Sequence, residues 1–174
     1  MNYIEEISKY LLPSLVVFAT AYLVMREFLR REEKKAKLEV LLHTNKETIP
    51  IRLQAYERLI LFLERIHPES IIIRENEAGL NNKQLQQKLL TAIRTEFEHN
   101  LSQQIYVSPK LWMHIKNAKE SIIQLVNAEA MQLLATDSSL SLSKAVIESH
   151  MQQQNSVLEI AKTELKEEIS LIWK

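Results

Sequence analysis

Apolar positions recur at helical spacing along this chain, and no stretch alternates with a period of two for long enough to build a sheet. In IRLQAYERLILFLERIH (51–67), Leu53, Tyr56, Ile60 and Leu63 make one stripe. Leu59, Phe62 and Ile66 make a second beside it. A helix apolar over so much of its circumference belongs in the middle of a bundle. Pro68 ends or kinks it. The next residues, ESIIIR, suit either a short helical turn or an extended cap, and ENEAGLNN reads as a loop around Gly79. Asn81 or Asn82 then caps a helix over 82–105, on which Leu85, Leu89, Ile93, Phe97 and Leu101 recur every four residues. Ser108 before Pro109 opens a third helix, 109–135, as a cap followed by a first-turn proline. Its stripe is Leu111, Ile115, Ala118, Ile122 and Leu125, with Trp112, Val126 and Leu133 alongside.

After a polar turn, TDSSLS, a last helix over 141–172 carries Leu142, Val146, Leu158, Ala161, Leu165, Ile169 and Ile172. The stripe turns polar at SHMQQQNS (149–156), which reads as a long helix overhanging shorter neighbours; the competing reading is a kink or a polar contact. Short connections make successive helices antiparallel neighbours.

Upstream, YLLPSLVVFATAYLVM (10–25) contains no charge. With Phe28 and Leu29 just beyond, residues 10–29 are expected to cross a bilayer as a helix, for which about 20 residues are needed. Lys9 and Arg26 would snorkel, Tyr10 and Tyr22 would sit near the interfaces, and Pro13 falls in the first turn. A cleaved signal peptide, suggested by Ala19-Thr20-Ala21, is disfavoured by Glu5 and Glu6 in place of a basic cluster. A buried helix is the other alternative. Arg26, Arg30, Arg31, Lys34, Lys35 and Lys37 all follow the run, so the N-terminus is expected outside and the body in the cytoplasm of a bacterial inner membrane. RREEKKAK reads as a solvated helix face with charge pairs, ahead of a lipid-touching patch. Leu38, Leu41 and Leu42 give the stalk an apolar edge too short for a coiled coil, and Pro50 places a connector at 44–50. The expected fold class is all-α: an N-terminal transmembrane helix with a charged stalk (1–45), then an antiparallel four-helix-bundle-like domain (46–174).

Composition narrows the chemistry. Hydrophobic residues are 46% of the 174, enough for a packed core. There are no cysteines, which removes disulfides, thiolate metal sites and a Cys nucleophile. One glycine cannot make a P-loop, a dinucleotide fingerprint or a nucleophile elbow. The 22 basic and 22 acidic residues balance, so nucleic acid is not an expected partner. The single aspartate, Asp137, lies in a turn, and no specific Ser/His/Asp set can be assembled. No cofactor and no catalytic residue is expected.

Two Glu-x-x-His pairs, Glu64–His67 and Glu96–His99, match half of the recipe for a dinuclear carboxylate centre in a helix bundle. If the helix from 82 starts beside residue 67, Glu96 lies about 14 residues on, roughly 20 Å away at ~1.5 Å per residue. Ions in such a centre are only ~3.5–4 Å apart, so the two pairs are not expected to share a metal. His99 and Asn100 are expected to serve helix or loop ends, and His67 to suit a carbonyl-rich helix terminus. A phospho-accepting histidine, His99 or His43, lacks a nucleotide-binding domain after it and the usual acidic neighbour.

At RLQAYERLILFLERI (52–66) and EFEHNLSQQIYVS (96–108) the sequence resembles a family of small uncharacterised proteins from Bacteroidota-type bacteria. That resemblance covers most of the chain. It implies a short N-terminal hydrophobic anchor, a charged stalk and a helical body at the inner membrane, and implies no activity or site residues. The expected function is a membrane-anchored interaction or scaffold protein, not an enzyme. Its expected partners are the bilayer through 10–29 and an unidentified protein or a second copy. The alternatives are a metal-dependent enzyme using Glu64, His67, Glu96 or His99, and a sensor of anionic lipid through 26–37.

Overall fold

The computed structural model describes residues 3–153 and 156–171, and of residues 3–13, 38 and 40–45 it describes the backbone only. All secondary structure among them is helical: α1 (Tyr3–Arg65), α2 (Pro68–Glu75), α3 (Asn82–His99), a 3-10 turn (Leu101–Ile105), α4 (Pro109–Met131), α5 (Ser139–Gln152) and α6 (Val157–Ser170). A single antiparallel bridge, Asn81 to Ser138, ties two loops together. The chain divides into two compact units, 1–48 and 49–174.

In the first unit the expectation of a membrane span is overturned. No helix among the described residues is long and apolar enough to cross a membrane. The reason is length: the 16 uncharged positions 10–25 amount to a helix of ~24 Å at ~1.5 Å per residue, against a hydrocarbon core of about 30 Å. Arg26 and Glu27 then end the apolar run. Positions 10–13 of the expected span, including Tyr10 and Pro13, lie outside the residues with described side chains, as do Lys9, Leu38, Leu41, Leu42 and His43. The single-pass inner-membrane location, with its outside N-terminus and cytoplasmic body, falls with the span. Arg26, Arg30, Arg31, Lys34, Lys35 and Lys37 are exposed along α1. Arg31 pairs with Glu27 at 3.2 Å and Lys35 with Glu32 at 3.7 Å, one helical turn apart.

The expected connector at 44–50 is also corrected, since α1 runs through Pro50. A proline in a helix interior costs one N–H and a clash with the preceding turn, yet the helix continues past it here. α1 contributes residues 49–65 to the second unit. There Tyr56, Leu59, Phe62, Leu63 and Ile66 are all buried, with Leu53 and Ile60 packed at the margin. They meet Leu85, Leu89 and Ile93 of α3, Leu111, Ile115, Ala118 and Val126 of α4, Leu142 and Val146 of α5, and Leu158, Ala161 and Leu165 of α6 in one core. Phe62, Phe97 and Trp112 form an aromatic ladder across it, with centroids 5.9 and 5.5 Å apart.

Local chemistry sets the helix starts. Asn81 accepts from the Gln84 N–H while the Gln84 side chain accepts from the Asn81 N–H, a reciprocal capping box. Ser108 accepts from the Leu111 N–H, with Pro109 at the first position. One segment left open is settled, and one expectation is corrected. Residues 68–75 form the helix α2, because Pro68 can start a helix as readily as it stops one. The expected single helix over 141–172 is two, α5 and α6. Gln153 is extended at the end of α5, and Ser156 opens α6 by accepting from the Leu158 N–H. The one apolar side chain of the polar run, Met151, is exposed, so nothing there holds a continuous helix on the core and the overhang is instead a break. Leu101, expected inward, is 45% exposed. A spacing of four drifts ~40° per step, and α3 has ended by then. Ile172 lies outside the described residues.

Candidate functional site

α2 changes the geometry around the two Glu-x-x-His pairs. α1 and α3 run antiparallel, but it is α3's far end that lies beside the end of α1. The Phe62 ring meets Phe97, and the Arg65 guanidinium places Nε and Nη2 on Glu96 Oε1 at 2.7 and 2.6 Å. Arg52 Nε donates to the Tyr106 carbonyl at 3.2 Å, fixing the same register. The start of α3 lies instead near the segment after α2, where Lys88 pairs with Glu77 at 2.6 Å. The separation of roughly 20 Å expected for this region therefore came from a register that the chain does not adopt.

Each residue of the two pairs has its own setting. Glu64 binds the Lys162 ammonium of α6 at 2.9 Å, and Glu96 is held by Arg65. His67 meets His150 of α5 edge to face, with centroids 4.9 Å apart, and His99 is exposed. Asn100 turns back, its Nδ2 donating to the Glu96 carbonyl at 2.8 Å. Among the described residues no group of three or more His, Asp or Glu side chains is arranged to hold a metal ion.

The titratable groups the structure does bring together lie elsewhere. A cleft of about 510 Å³ runs between the α1–α2 junction, the end of α5 and α6, with His67, His150, Met151, Ser156, Glu159 and Ile160 among its walls. Lys162 is buried near it and bridges Glu64 and Glu159, at 2.9 and 3.0 Å. Burial works against its charge, but the hydrogen bonds to the two carboxylates outweigh that and hold the ammonium above its usual pKa. Burial pushes the His150 imidazole below its usual range, and His67 beside it pushes the same way. His150 Nδ1 is buried without a hydrogen-bond partner.

A second polar cluster closes the other end of α6. Glu168 Oε1 accepts from the Ser108 N–H and from the Tyr56 hydroxyl, both at 2.9 Å, while Oε2 accepts from the Ser108 hydroxyl. Arg52 Nη2 donates to the Tyr56 oxygen at 2.6 Å and stands 3.8 Å from Glu168. Burial raises the Tyr56 phenol, and its bond to Glu168 raises it further. A second cleft, about 750 Å³, lies along α3 beside Arg65, Arg74 and Lys88, each of which is paired with a carboxylate.

Sequence reading passed over His150, Lys162 and Glu168. The available signal was their spacing: Lys162 stands four residues after Leu158, and Glu168 three after Leu165, so both fall on the inward stripe of α6. His150 lies in the polar interruption, where no periodicity marks it.

Comparison with curated proteins and with solved structures gave no match. One family model matches residues 2–172, almost the whole chain. The chain belongs to that family, a family of unknown function (DUF7935).

Proposed function

We propose that this chain is a helical interaction protein that associates through residues 14–29, with further copies of itself as the first partner. The observation that carries this reading is the surface of α1. Ten large apolar side chains between Leu15 and Leu29 are 55–74% exposed. Singly exposed apolar residues are ordinary, but a contiguous apolar band of this kind marks a surface that another molecule covers. Its residues follow one another at Leu15, Val16, Val17 and Phe18 and again at Tyr22, Leu23, Val24 and Met25, so they point all round the helix. One neighbouring helix would cover only one side, and a cluster of three or more helices suits the pattern better. The balanced net charge opposes no approach between copies. This reading gives the chain a binding role and no reaction of its own.

Sedimentation equilibrium of the whole chain tests it. The expected mass is a multiple of the 20.4 kDa monomer. A Val17→Glu/Val24→Glu variant is expected to move to the monomer mass with an unchanged helical spectrum. A monomer in the wild type at about 100 μM, where even a weak helix cluster assembles, refutes the proposal.

A further inference from the structure

We propose that the His67–His150 contact is a pH-sensitive clasp that holds the last turn of α5 against the α1–α2 junction when both imidazoles are neutral and releases it when they are charged. The proposal concerns the second unit alone and stands apart from association through 14–29. Its basis is geometric. His67 sits in the two-residue gap between α1 and α2, as the N-cap of α2, where its side chain makes no capping bond. His150 belongs to the last turn of α5. Their rings meet at 4.9 Å and 89°, an edge-to-face contact that is favourable between neutral rings. With a proton on each, the same contact sets two cations side by side. α5 ends only two residues later, and the chain then passes to Ser156 before α6. The last turn can therefore leave without dragging a continuous helix with it.

The surrounding charges decide the direction. From α6, Lys162 and Glu159 face His150; from α2, Glu69 does; from the α1–α2 gap, His67; and Glu64 of α1 reaches this group through Lys162. The carboxylates of Glu159 and Glu69 favour a proton on His150. Glu159 is already engaged by the Lys162 ammonium at 3.0 Å, and Lys162 itself opposes a second cation. Burial and His67 oppose it further, and the buried, partnerless Nδ1 offers a proton no acceptor. The imidazole is thus harder to protonate in the folded chain than in the unfolded one. A group of that kind stabilises the fold above its unfolded pKa of about 6.5, and the contribution is lost as pH falls below it.

The test is hydrogen exchange of the whole chain at about pH 7.5 and 5.5, a window that spans the histidine range and stays above the carboxylates. Rates are corrected for intrinsic chemistry. Amides at 148–152 are expected to lose protection by at least about threefold at the lower pH, while α4 amides at 115–126 keep theirs. In His150→Phe the ring contact survives with no second imidazole to set a cation beside His67, and the loss is expected to vanish. A wild-type segment equally protected at both values, or an equal loss in His150→Phe, overturns the clasp. Should that variant fold poorly, an NMR titration of the wild-type His150 imidazole decides: titration clearly below the ordinary histidine value of about 6.5 is expected, and titration at or above it overturns the proposal.

Discussion

Removing the carboxylate of Glu168 is expected to destabilise the second unit by about 3 kcal/mol. Glu168 is the common acceptor for three donors: the Ser108 N–H, the Ser108 hydroxyl and the Tyr56 hydroxyl. Tyr56 is fully buried, and its phenol cannot turn to water when the acceptor is gone. A buried donor left without a partner costs about 1–3 kcal/mol, and Glu168→Ala orphans the phenol and the Ser108 amide together. The Ser108 amide also lies at the N-terminus of α4, where an anion contributes a further ~0.3–1 kcal/mol. Arg52 is partly exposed and recovers water, so the lost ion pair at 3.8 Å adds little. The assay is urea unfolding followed by circular dichroism. In thermal terms a loss of this size is about 10 °C for a domain this large.

A double-mutant cycle separates this network from simple loss of packing. Tyr56→Phe in the wild-type background removes one bond from Glu168 and one from Arg52, and is expected to cost about 1 kcal/mol. In the Glu168→Ala background the same change removes an orphaned hydroxyl, so it is expected to be neutral or slightly stabilising. A Glu168→Ala loss below ~0.5 kcal/mol, or an equal Tyr56→Phe cost in both backgrounds, refutes the reasoning, since a shared buried acceptor requires coupling.

Asn82 is 2% exposed and ties the segment after α4 to the first turn of α5, donating to the Leu134 carbonyl at 2.9 Å and accepting from the Leu142 N–H at 3.2 Å. Asn82→Ala is expected to cost about 2–3 kcal/mol in the same assay, and Asn82→Asp, which keeps only the acceptor, about as much. Lys162→Met is expected to be within ~1 kcal/mol of wild type at neutral pH, because Glu64 and Glu159 are more than half exposed and rehydrate while a methionine fills the buried stem. The same substitution is expected to flatten the alkaline limb of the stability profile. The raised ammonium of Lys162 contributes below its unfolded value of 10.5, and that contribution is lost as pH climbs through the folded value. An unchanged alkaline limb in Lys162→Met counts against the bridge.

Helix identity was legible wherever apolar stripes and end signals agreed. The stripe from Leu111 through Leu125, the Asn81 cap and the Ser108-Pro109 start all appear at their places. Register was not legible, because it hangs on α2. Whether a short ESIIIR segment makes a helix depends on Ile71 and Ile72 finding the core, which is a tertiary fact. Without α2, α3 is paired one helix-length wrongly and Glu96 appears remote from α1. The break between α5 and α6 was hidden for a related reason. Periodicity continued on both sides of the polar run, and only the packing of α5 and α6 as separate helices decides between overhang and interruption. The apolar run before Arg26 reached a membrane-spanning length only by counting Phe28 and Leu29 beyond Arg26 and Glu27, whose charges end it.

α6 shows why the polar contacts deserve as much weight as the core. It buries only Leu158, Ala161 and Leu165 as apolar side chains, which is little to hold 14 residues in one position. A smooth apolar face of that size could slide by a turn at small cost, since neighbouring registers bury similar area. The charged positions remove that freedom. Lys162 fits only where Glu64 waits on α1, Lys110 of α4 takes Glu164 at 2.8 Å, and Glu168 fits only over the Ser108 cap and the Tyr56 phenol. A shift by one turn, about 5.4 Å, would leave a buried ammonium and a buried phenol without partners. These pairs therefore specify one docking of α6, and with it the position of the cleft wall that faces His150. That is also why Lys162→Met is expected to be nearly silent in stability while Glu168→Ala is not: the first leaves carboxylates that reach water, and the second leaves donors that cannot.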